Sequence, residues 1–273
     1  MDFFTSGTGH WVLGIIFAFV AAGSAYAFRV LTFSGALAAF VMGSLVFGVG
    51  GWTWAAILIA FFLTSNGWSL LFHRKKAQSE KKYAKGSRRD AAQVLANGGV
   101  AMGMVILQPF TCDSLLPWIG FCASLAAANA DTWATELGAL NRGKPILITS
   151  GKRVEPGTSG AISLAGTLAA TAGGVLIAGL AWLLNPAQTA WWITALIAIS
   201  GLLGSLVDSL LGATLQANYY CPACQTNTEQ HPLHGCGEGT FIVKGFAWLN
   251  NDWVNAACTL SGAVFGVLVF LLL

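Results

Sequence analysis

Long runs of apolar residues are the feature that most restricts how this chain can fold. Eight stretches lie near residues 11–31, 33–50, 52–72, 92–110, 115–137, 160–184, 189–212 and 253–273. A membrane-spanning helix needs about 20 mostly apolar residues, which these stretches supply. The second is short, so seven spans are an alternative. Only 9% of the residues are charged, against about 25% in soluble domains, so the chain requires lipid around it.

The apolar segments predict helices rather than strands. Backbone polar groups cannot stay unpaired in hydrocarbon, and the segments lack the strict alternation and regular spacing of barrel strands. We therefore predict an all-α fold, a polytopic transmembrane bundle of about eight helices. Residues 1–273 would form a single membrane domain, with polar loops at residues 73–90, 140–158 and 217–250 and no extramembrane segment large enough to fold alone.

The basic residues give this bundle an orientation. If the N-terminus lies outside, all 14 lysines and arginines fall on the inner side, as the positive-inside rule requires. The three polar loops are then cytoplasmic and both termini are outside. The net charge of +3 reflects this topology and an attraction for anionic headgroups rather than nucleic acid. We expect a multi-pass protein of the plasma (inner) membrane of a prokaryote, with its site on the cytoplasmic side.

Acidic residues inside predicted helices are costly and are therefore functional candidates, and Asp131 and Asp208 are the two that matter most. Asp131 lies near the inner end of the fifth segment, and small or polar residues follow it at three, four and seven positions on the same face. Asp208 has the same setting in the seventh segment. Glu136 lies about 140° around the helix from Asp131 and could serve a different partner. Alternatively, these carboxylates lie at the membrane interface and pair with loop lysines.

A short inner loop before the sixth segment combines cations, glycines and hydroxyl groups. Its residues Lys152, Arg153, Gly157, Thr158, Ser159 and Gly160 are predicted to run straight into that helix. Cations, flexible glycines and the free N–H groups of a helix N-terminus together predict a phosphate-binding site. The alternative is a basic cytoplasmic loop with an ordinary Ser/Thr cap.

Polar residues also open two other helices from the inner side. Asn251 and Asn255 share a face at the start of the last segment, and Asp252 lies in its first turn. Gln93 and Asn97 are polar where the fourth segment enters the membrane, so they need partners once buried. Helix capping explains such residues in one interpretation, since an acid in the first turn favours the helix dipole. A nucleotide or metal contact explains them in the other.

The last inner loop carries a possible zinc site. Cys221 and Cys224 are followed by His231, His234 and Cys236, which together offer enough ligands for tetrahedral zinc. Which histidine completes the set is open, and we use His234. A cytoplasmic loop keeps thiols reduced, so no disulfide is implied. A structural Zn²⁺ is favoured over free thiols, and catalytic zinc is not, because no general base lies nearby.

Five of these segments, taken in order, resemble one known family. They are QVLANG at 93–98, ADTWATELG at 130–138, GKRVEPGTSG at 151–160, DSLLGATLQ at 208–216 and NNDWVN at 250–255. These motifs are similar to those of the integral membrane family typified by plant phytyl-phosphate kinase, over about residues 85–260.

A looser similarity reaches the phytol and dolichol kinases and the CDP-diglyceride synthetases. In those proteins a D-x-x-A-x-x-x-G helix precedes a basic Glu-Gly-Ser/Thr loop, and Asp131 fits the first pattern. Lys152, Gly157 and Thr158 fit the second, but Pro156 stands where those families carry Glu. It is therefore open which acid, Glu155 for instance, replaces the missing one.

The resemblance implies CTP-dependent phosphorylation of an isoprenyl monophosphate to its diphosphate. Our hypothesis is that Asp131 and Asp208, with Glu136 or Asp252, hold Mg²⁺, while Lys152, acting as a catalytic residue, Arg153 and the helix start at 158–160 bind the phosphates of CTP or another nucleoside triphosphate. Alternatives are cytidylyl transfer to a CDP-lipid, a polyprenol kinase, and a lipid or ion carrier that uses the buried acids as ion sites.

Overall fold

A computed structural model describes residues 7–80, 88–112, 115–140 and 143–273. Its seven helices are α1 (Gly7–Ala27), α2 (Phe33–Glu80), α3 (Ala91–Leu107), α4 (Leu115–Gly138), α5 (Leu164–Leu184), α6 (Trp191–Thr214) and α7 (Asn251–Leu272). Each except α4 contains a stretch long and apolar enough to cross a membrane. The predicted fold class, a polytopic helical membrane bundle, is confirmed.

The helix count is seven rather than eight because the second and third predicted segments are joined in α2. This helix has 48 residues, about 72 Å if it were straight, more than twice the roughly 30 Å of a hydrocarbon core. Its path is interrupted at Gly51, whose φ of 74° and ψ of −162° are not helical. Only glycine adopts such angles readily, so the break occurs at a single residue and no loop separates the two halves.

The start of α2 and a point in its second half lie on the same side of the bundle. Near its start, Gly35 packs against the Arg89 carbonyl just before α3. In its second half, Trp68 packs edge-on against Trp133 of α4, whose neighbour Thr132 lines the same cavity as Arg89. The chain therefore reverses at Gly51, and α2 contributes two crossings of the bundle.

Helix α2 also continues further than expected, through Glu80, so the inner loop predicted at 73–90 begins later. Four of the basic residues used for orientation, Lys81, Lys82, Lys85 and Arg142, lie outside the described residues.

Helix α4 is the centre of the bundle. It packs against α2, α3, α5, α6 and α7, and every residue from 117 to 130 is buried. Close approach is possible because the contacts are small: Gly201 of α6 lies against Ala126, and Gly262 of α7 lies against Ala127. Since its neighbours shield α4 from lipid, this helix tolerates more polar residues than the others.

The buried Asn129 ties α4 to two neighbours. Its Nδ2 donates to the Gly173 carbonyl of α5 at 2.8 Å, and its Oδ1 accepts from Thr64 Oγ1 at 3.0 Å and Ser65 Oγ at 3.3 Å on α2. Each polar atom of the amide thus has a partner, which a buried side chain needs. The registers of three helices are fixed at the level just above the acidic residues.

The outer half of the bundle is a dense aromatic core. Trp54 packs on Trp118 and Phe121, with ring centroids 5.0 and 4.7 Å apart. Trp118 Nε1 donates to Thr189 Oγ1 at 2.9 Å, so the indole is fully paired although buried. This cluster fills the centre of the bundle on the side opposite the predicted site.

The inner loops contain short strands that the sequence did not predict. Strands β1 (Ile146–Leu147) and β2 (Ala161–Ile162) pair antiparallel, while β3 (Asn218–Cys221) lies between β4 (Thr226–Thr228) and β5 (Phe241–Lys244). The predicted helix start at 158–160 is wrong. Residues 161–162 pair as a strand, and Ser163 then caps α5 by accepting from Gly166 N at 3.1 Å.

Candidate active site

The five sequence motifs meet in one cavity of 380 Å³ at the inner ends of α3, α4, α5, α6 and α7. Its volume lies within the usual range for small-molecule sites. The predicted site residues that line it are Asn97, Asp131, Glu136, Gly157, Thr158, Ser159, Gly160, Asp208, Asn251, Asp252 and Asn255. Motifs that are distant in sequence converge because each one lies at the same end of its helix.

Two carboxylates stand deepest in this cavity. Asp131 lies seven residues before the end of α4 and Asp208 six residues before the end of α6, so both are about 10 Å inside the helix ends. They interact electrostatically with each other. Asp131 Oδ1 accepts a hydrogen bond from Ser205 Oγ at 3.4 Å. Two acids at one depth, on facing helices, form a single negative centre.

Asp208 lacks a partner that a buried carboxylate requires. Its Oδ2 is buried without a hydrogen-bond donor, and the nearby charges of Asp131 and Glu229 repel it. Within the described part of the chain, no lysine or arginine forms an ion pair with Asp131 or Asp208, so the lysine-paired alternative finds no support. A hard divalent cation, which prefers carboxylate oxygens, fits this unpaired acceptor. Glu136 and Asp252 line the same cavity and can complete its ligands.

Arg89 is the main cationic residue of the cavity, and the sequence analysis missed it. Its backbone is fixed by the α1–α2 turn, where its N–H donates to the Val30 carbonyl and its carbonyl accepts from Thr32 N. Burial lowers the pKa of the Arg89 guanidinium, and the nearby Glu136 carboxylate opposes that effect. Glu136 therefore faces an arginine rather than serving a separate site. The signal that could have indicated Arg89 is its position four residues before Gln93, a polar residue that the sequence analysis did consider.

The glycine-rich segment ending at Gly160 forms one wall. Gly160 has a φ of 79°, and a Cβ there would collide with the backbone of Ala213 on α6. Ser159 Oγ donates to Gln216 Oε1 at 2.6 Å, and Gln216 Nε2 donates to Glu229 Oε1 at 2.8 Å. This segment therefore lines the same cavity as the carboxylates and is held in place by Gln216, and its backbone can form a phosphate-binding wall.

Lys152 and Arg153, the two cations of the predicted phosphate-binding loop, do not line this cavity. Lys152 is exposed on the hairpin formed around β1, where its carbonyl accepts from Leu147 N, and it lines neither cavity. Arg153 lines a second cavity of 450 Å³ that adjoins the first and shares the wall formed by residues 157–159. Glu155 lines this second cavity too, and pairs with Lys144 at 2.7 Å.

Capping and site functions are divided among neighbouring residues. Asn250 caps α7 by accepting from Asp252 N at 3.0 Å, which leaves the side chains of Asn251 and Asn255 on the cavity wall. Gln93 forms a capping box with Asp90 while also lining the cavity. Helix capping is therefore confirmed at both starts, while a contact with a nucleotide or a metal stays a prediction.

The cysteine cluster lies between the last residue of β3 and the start of β5. The ligand atoms of Cys221, Cys224, His234 and Cys236 lie within 4.8 Å of one another. The hydrogen bond with His234, aided by a backbone hydrogen bond from Glu238, lowers the pKa of Cys236 to about 6. His231 stacks instead on Tyr219, with ring centroids 4.3 Å apart. The four residues can hold one metal ion, and His234 is the histidine in the set.

Comparisons with known proteins agree with this architecture. A family model described as "Integral membrane protein DUF92" matches residues 16–263. "Protein PGR" of Arabidopsis thaliana is 33% identical over 92% of this chain and 93% of its own length. "Uncharacterized membrane protein MJ0933" of Methanocaldococcus jannaschii is 32% identical over 89% of this chain and 87% of its own. "Protein VTE6, chloroplastic" of Arabidopsis thaliana is 26% identical over 88% and 65%. No solved structure matches the chain.

Proposed function

Because this chain belongs to the integral membrane protein family DUF92, and because its five motifs resemble those of plant phytyl-phosphate kinase, we propose that it is a membrane kinase. Its reaction is transfer of the γ-phosphoryl group of a nucleotide, CTP, to an isoprenyl monophosphate at the cytoplasmic face, in a prokaryotic plasma membrane. The observation that carries the proposal is the cavity of 380 Å³, which is lined by two carboxylates inside helices, by an arginine and by a glycine-rich wall.

Phosphoryl transfer needs positioning and charge neutralisation more than covalent chemistry. Arg89 supplies a fixed positive charge at the cavity, and its planar guanidinium can bind two phosphate oxygens at once. Backbone N–H groups of residues 157–160 bind oxygens from the other side. The hydroxyl protons of Thr158 and Ser159 are already donated to the Glu155 carbonyl and to Gln216 Oε1, which keeps this segment in shape. Because Ser159 is held by Gln216, this wall does not have to be organised when the substrate arrives.

Asp131 and Asp208 would hold Mg²⁺, with Glu136 or Asp252 as further ligands. Bound there, the ion supplies charge neutralisation for the nucleotide phosphates. The protein's part is to present the two carboxylates at one depth and to orient Asp131 through Ser205. An acceptor monophosphate is already anionic, so the site needs no strong general base.

The inner-leaflet position of the cavity suits an amphiphilic acceptor. Ala170, Leu202 and Leu206 give its membrane side an apolar lining, while the carboxylates, amides and hydroxyls line the rest. A lipid phosphate can thus reach the polar end from the headgroup level while its hydrocarbon tail stays between helices. A water-soluble acceptor would gain nothing from this lining.

The second cavity is the place for the nucleoside of the donor. It shares residues 157–159 with the first, so a triphosphate bound along that wall would extend into it. Asn218 lines this cavity, and its Oδ1 is buried without a donor in the described part of the chain. An amide carbonyl is a good acceptor for the exocyclic amine of cytosine, whose pattern of donors and acceptors it complements. Arg153 lies on the same wall and can contact the outer phosphate or ribose.

The packing of the outer half favours an enzyme over a carrier. A carrier needs a site that opens to both sides of the membrane. Here the centre of the bundle outside Asn129 is filled by Trp54, Trp118 and Phe121. The cavity therefore opens on the opposite side of the bundle, which the positive-inside rule predicts to be cytoplasmic and where nucleotides are found.

A transfer assay tests the proposal. Purified detergent-solubilised protein is given Mg²⁺, γ-labelled CTP or ATP, and phytyl or geranylgeranyl monophosphate or the free alcohol. We expect label in a lipid diphosphate, with CTP as the better donor. Asp131→Asn should reduce transfer by about 10²-fold or more, because charge stabilisation in the transition state is lost. Glu238→Gln, an exposed acid outside both cavities, is the matched control.

Each outcome has a distinct meaning. Label only in a lipid monophosphate would make the protein an alcohol kinase and reject the proposed acceptor. Nucleotide binding without labelled lipid would instead favour cytidylyl transfer. Full activity of the Asp131→Asn protein would remove Asp131 from the mechanism.

A further inference from the structure

The cysteine cluster has the geometry of a tetrahedral zinc site. Zn–S bonds of about 2.3 Å and Zn–N bonds of about 2.0 Å place two sulfur ligands about 3.8 Å apart, and a sulfur and a nitrogen about 3.5 Å apart. In the protein Cys221 Sγ lies 3.6 Å from Cys236 Sγ, and His234 Nδ1 lies 3.2 Å from Cys236 Sγ. The sulfur separation is far longer than the 2.05 Å of a disulfide.

The fold brings these ligands together from two places. Cys221 ends β3 and Cys224 lies in the turn that leads to β4, while His234 and Cys236 belong to the loop before β5. Strand β5 contributes little buried apolar surface to this sheet, since its residues Phe241, Ile242 and Val243 are exposed. Small units without a sufficient core commonly depend on a metal for stability.

We propose that Cys221, Cys224, His234 and Cys236 bind one structural Zn²⁺. This ion fixes the sheet formed by β3, β4 and β5 and thereby holds Glu229 at the wall of the active-site cavity. The zinc site itself is independent of the proposed kinase function, whereas its effect on transfer rests on that function.

Hydrogen bonds connect the zinc loop to the phosphate-binding wall. Gly235 N, between two zinc ligands, donates to Gln230 Oε1 at 2.7 Å. The adjacent Glu229 accepts from Gln216, which in turn accepts from Ser159 Oγ. Loss of the metal would free the loop around Gly235. The series of hydrogen bonds from Gly235 to Ser159 would then weaken at the end near the metal. Glu229 and Ser159 would then lose their fixed positions.

Metal content of the full-length protein is the first test. Protein purified without chelator should contain about one zinc per chain by elemental analysis. His234→Ala and Cys224→Ser should each lose most of it, because a structural site needs all four ligands. His231→Ala and Cys112→Ser are the matched controls and should keep it, since neither residue belongs to the cluster. Wild-type protein without zinc, or equal loss in His231→Ala and His234→Ala, would overturn the proposal.

Hydrogen exchange tests the structural role without relying on activity or on a variant that folds. Zinc is removed from the wild-type protein with a chelator and then restored. We expect exchange in residues 218–244 to rise by at least about tenfold on removal, and to recover with Zn²⁺, while α4 and α6 stay protected. Unchanged exchange after the metal has left would refute the role in fixing the sheet. A zinc-dependent change in exchange together with absent kinase activity would reject only the kinase proposal.

Discussion

Replacing Asp208 by asparagine should make the metal-free protein more stable. The same change should remove most of the stabilisation that Mg²⁺ binding gives. In the wild type, Asp208 Oδ2 is buried without a donor and is repelled by Asp131 and Glu229. Asparagine keeps the size of the side chain and removes the charge, and its amide can donate to Asp131. The strain of the metal-binding site is thereby relieved, at the expense of the ligand itself.

The magnitude follows from this single unpaired group. An unsatisfied buried acceptor costs about 1–3 kcal/mol, and more if charged, so Asp208→Asn should raise the unfolding free energy in EDTA by about that amount. For a chain of this size, each kcal/mol corresponds to roughly 2–4 °C in Tm. Saturating Mg²⁺ at about 100 times its Kd should stabilise the wild type by about 2.7 kcal/mol and the variant by far less.

Thermal unfolding in detergent, followed with and without Mg²⁺, is the assay, and Glu238→Gln is the control variant. We expect the Tm advantage of Asp208→Asn over the wild type in EDTA to become much smaller, or to reverse, in saturating Mg²⁺. A lower Tm for Asp208→Asn in EDTA would mean that its carboxylate is satisfied in the free protein. An equal Mg²⁺ gain in both proteins would show that Asp208 is not a ligand.

Two further predictions concern the other walls of the cavity. Arg89→Gln should lower kcat/KM for transfer by roughly 10–100-fold, because a charge-assisted hydrogen bond to phosphate contributes about 1.5–3 kcal/mol. Arg88→Gln, whose side chain bonds the Leu31 carbonyl, should leave kcat/KM nearly unchanged, and equal losses in both would contradict the assignment. Gly160→Ala should destabilise the protein by about 2–5 kcal/mol in thermal unfolding, since backbone strain and a collision with α6 add together. Gly151→Ala has the same sign of φ but open space, so a loss as large there would refute the collision argument.

The membrane architecture was predictable because apolar length alone identifies a spanning helix. The break in α2 was harder to predict. It occurs at one glycine with positive φ and not at a polar loop, so the sequence did not show that the second and third segments are one interrupted helix.

The acidic core of the site was predictable for a related reason. Carboxylates such as Asp131 and Asp208 are rare in spanning helices because they are costly there. Once topology puts both at inner helix ends, their proximity follows. Arg89 was missed because it stands at the end of a run of basic residues that topology already explains.

The remaining site residues depend on contacts that local sequence does not reveal. Short strands such as β1 and β2 carry no periodic signal, yet they separate residues 157–160 from the start of α5 and carry Lys152 away from the acids. The position of Glu229 likewise depends on the end of β4 and on its hydrogen bond with Gln216, 13 residues earlier in the chain.

The most direct test of the central claim is ³¹P NMR of the reaction products formed from phytyl monophosphate, CTP and Mg²⁺. We predict resonances of phytyl diphosphate and CDP, formed together and lost in the Asp131→Asn protein. Pyrophosphate with a CMP-linked lipid, or unchanged phytyl monophosphate at full CTP occupancy, would contradict the assignment of this cavity as a phosphoryl-transfer site.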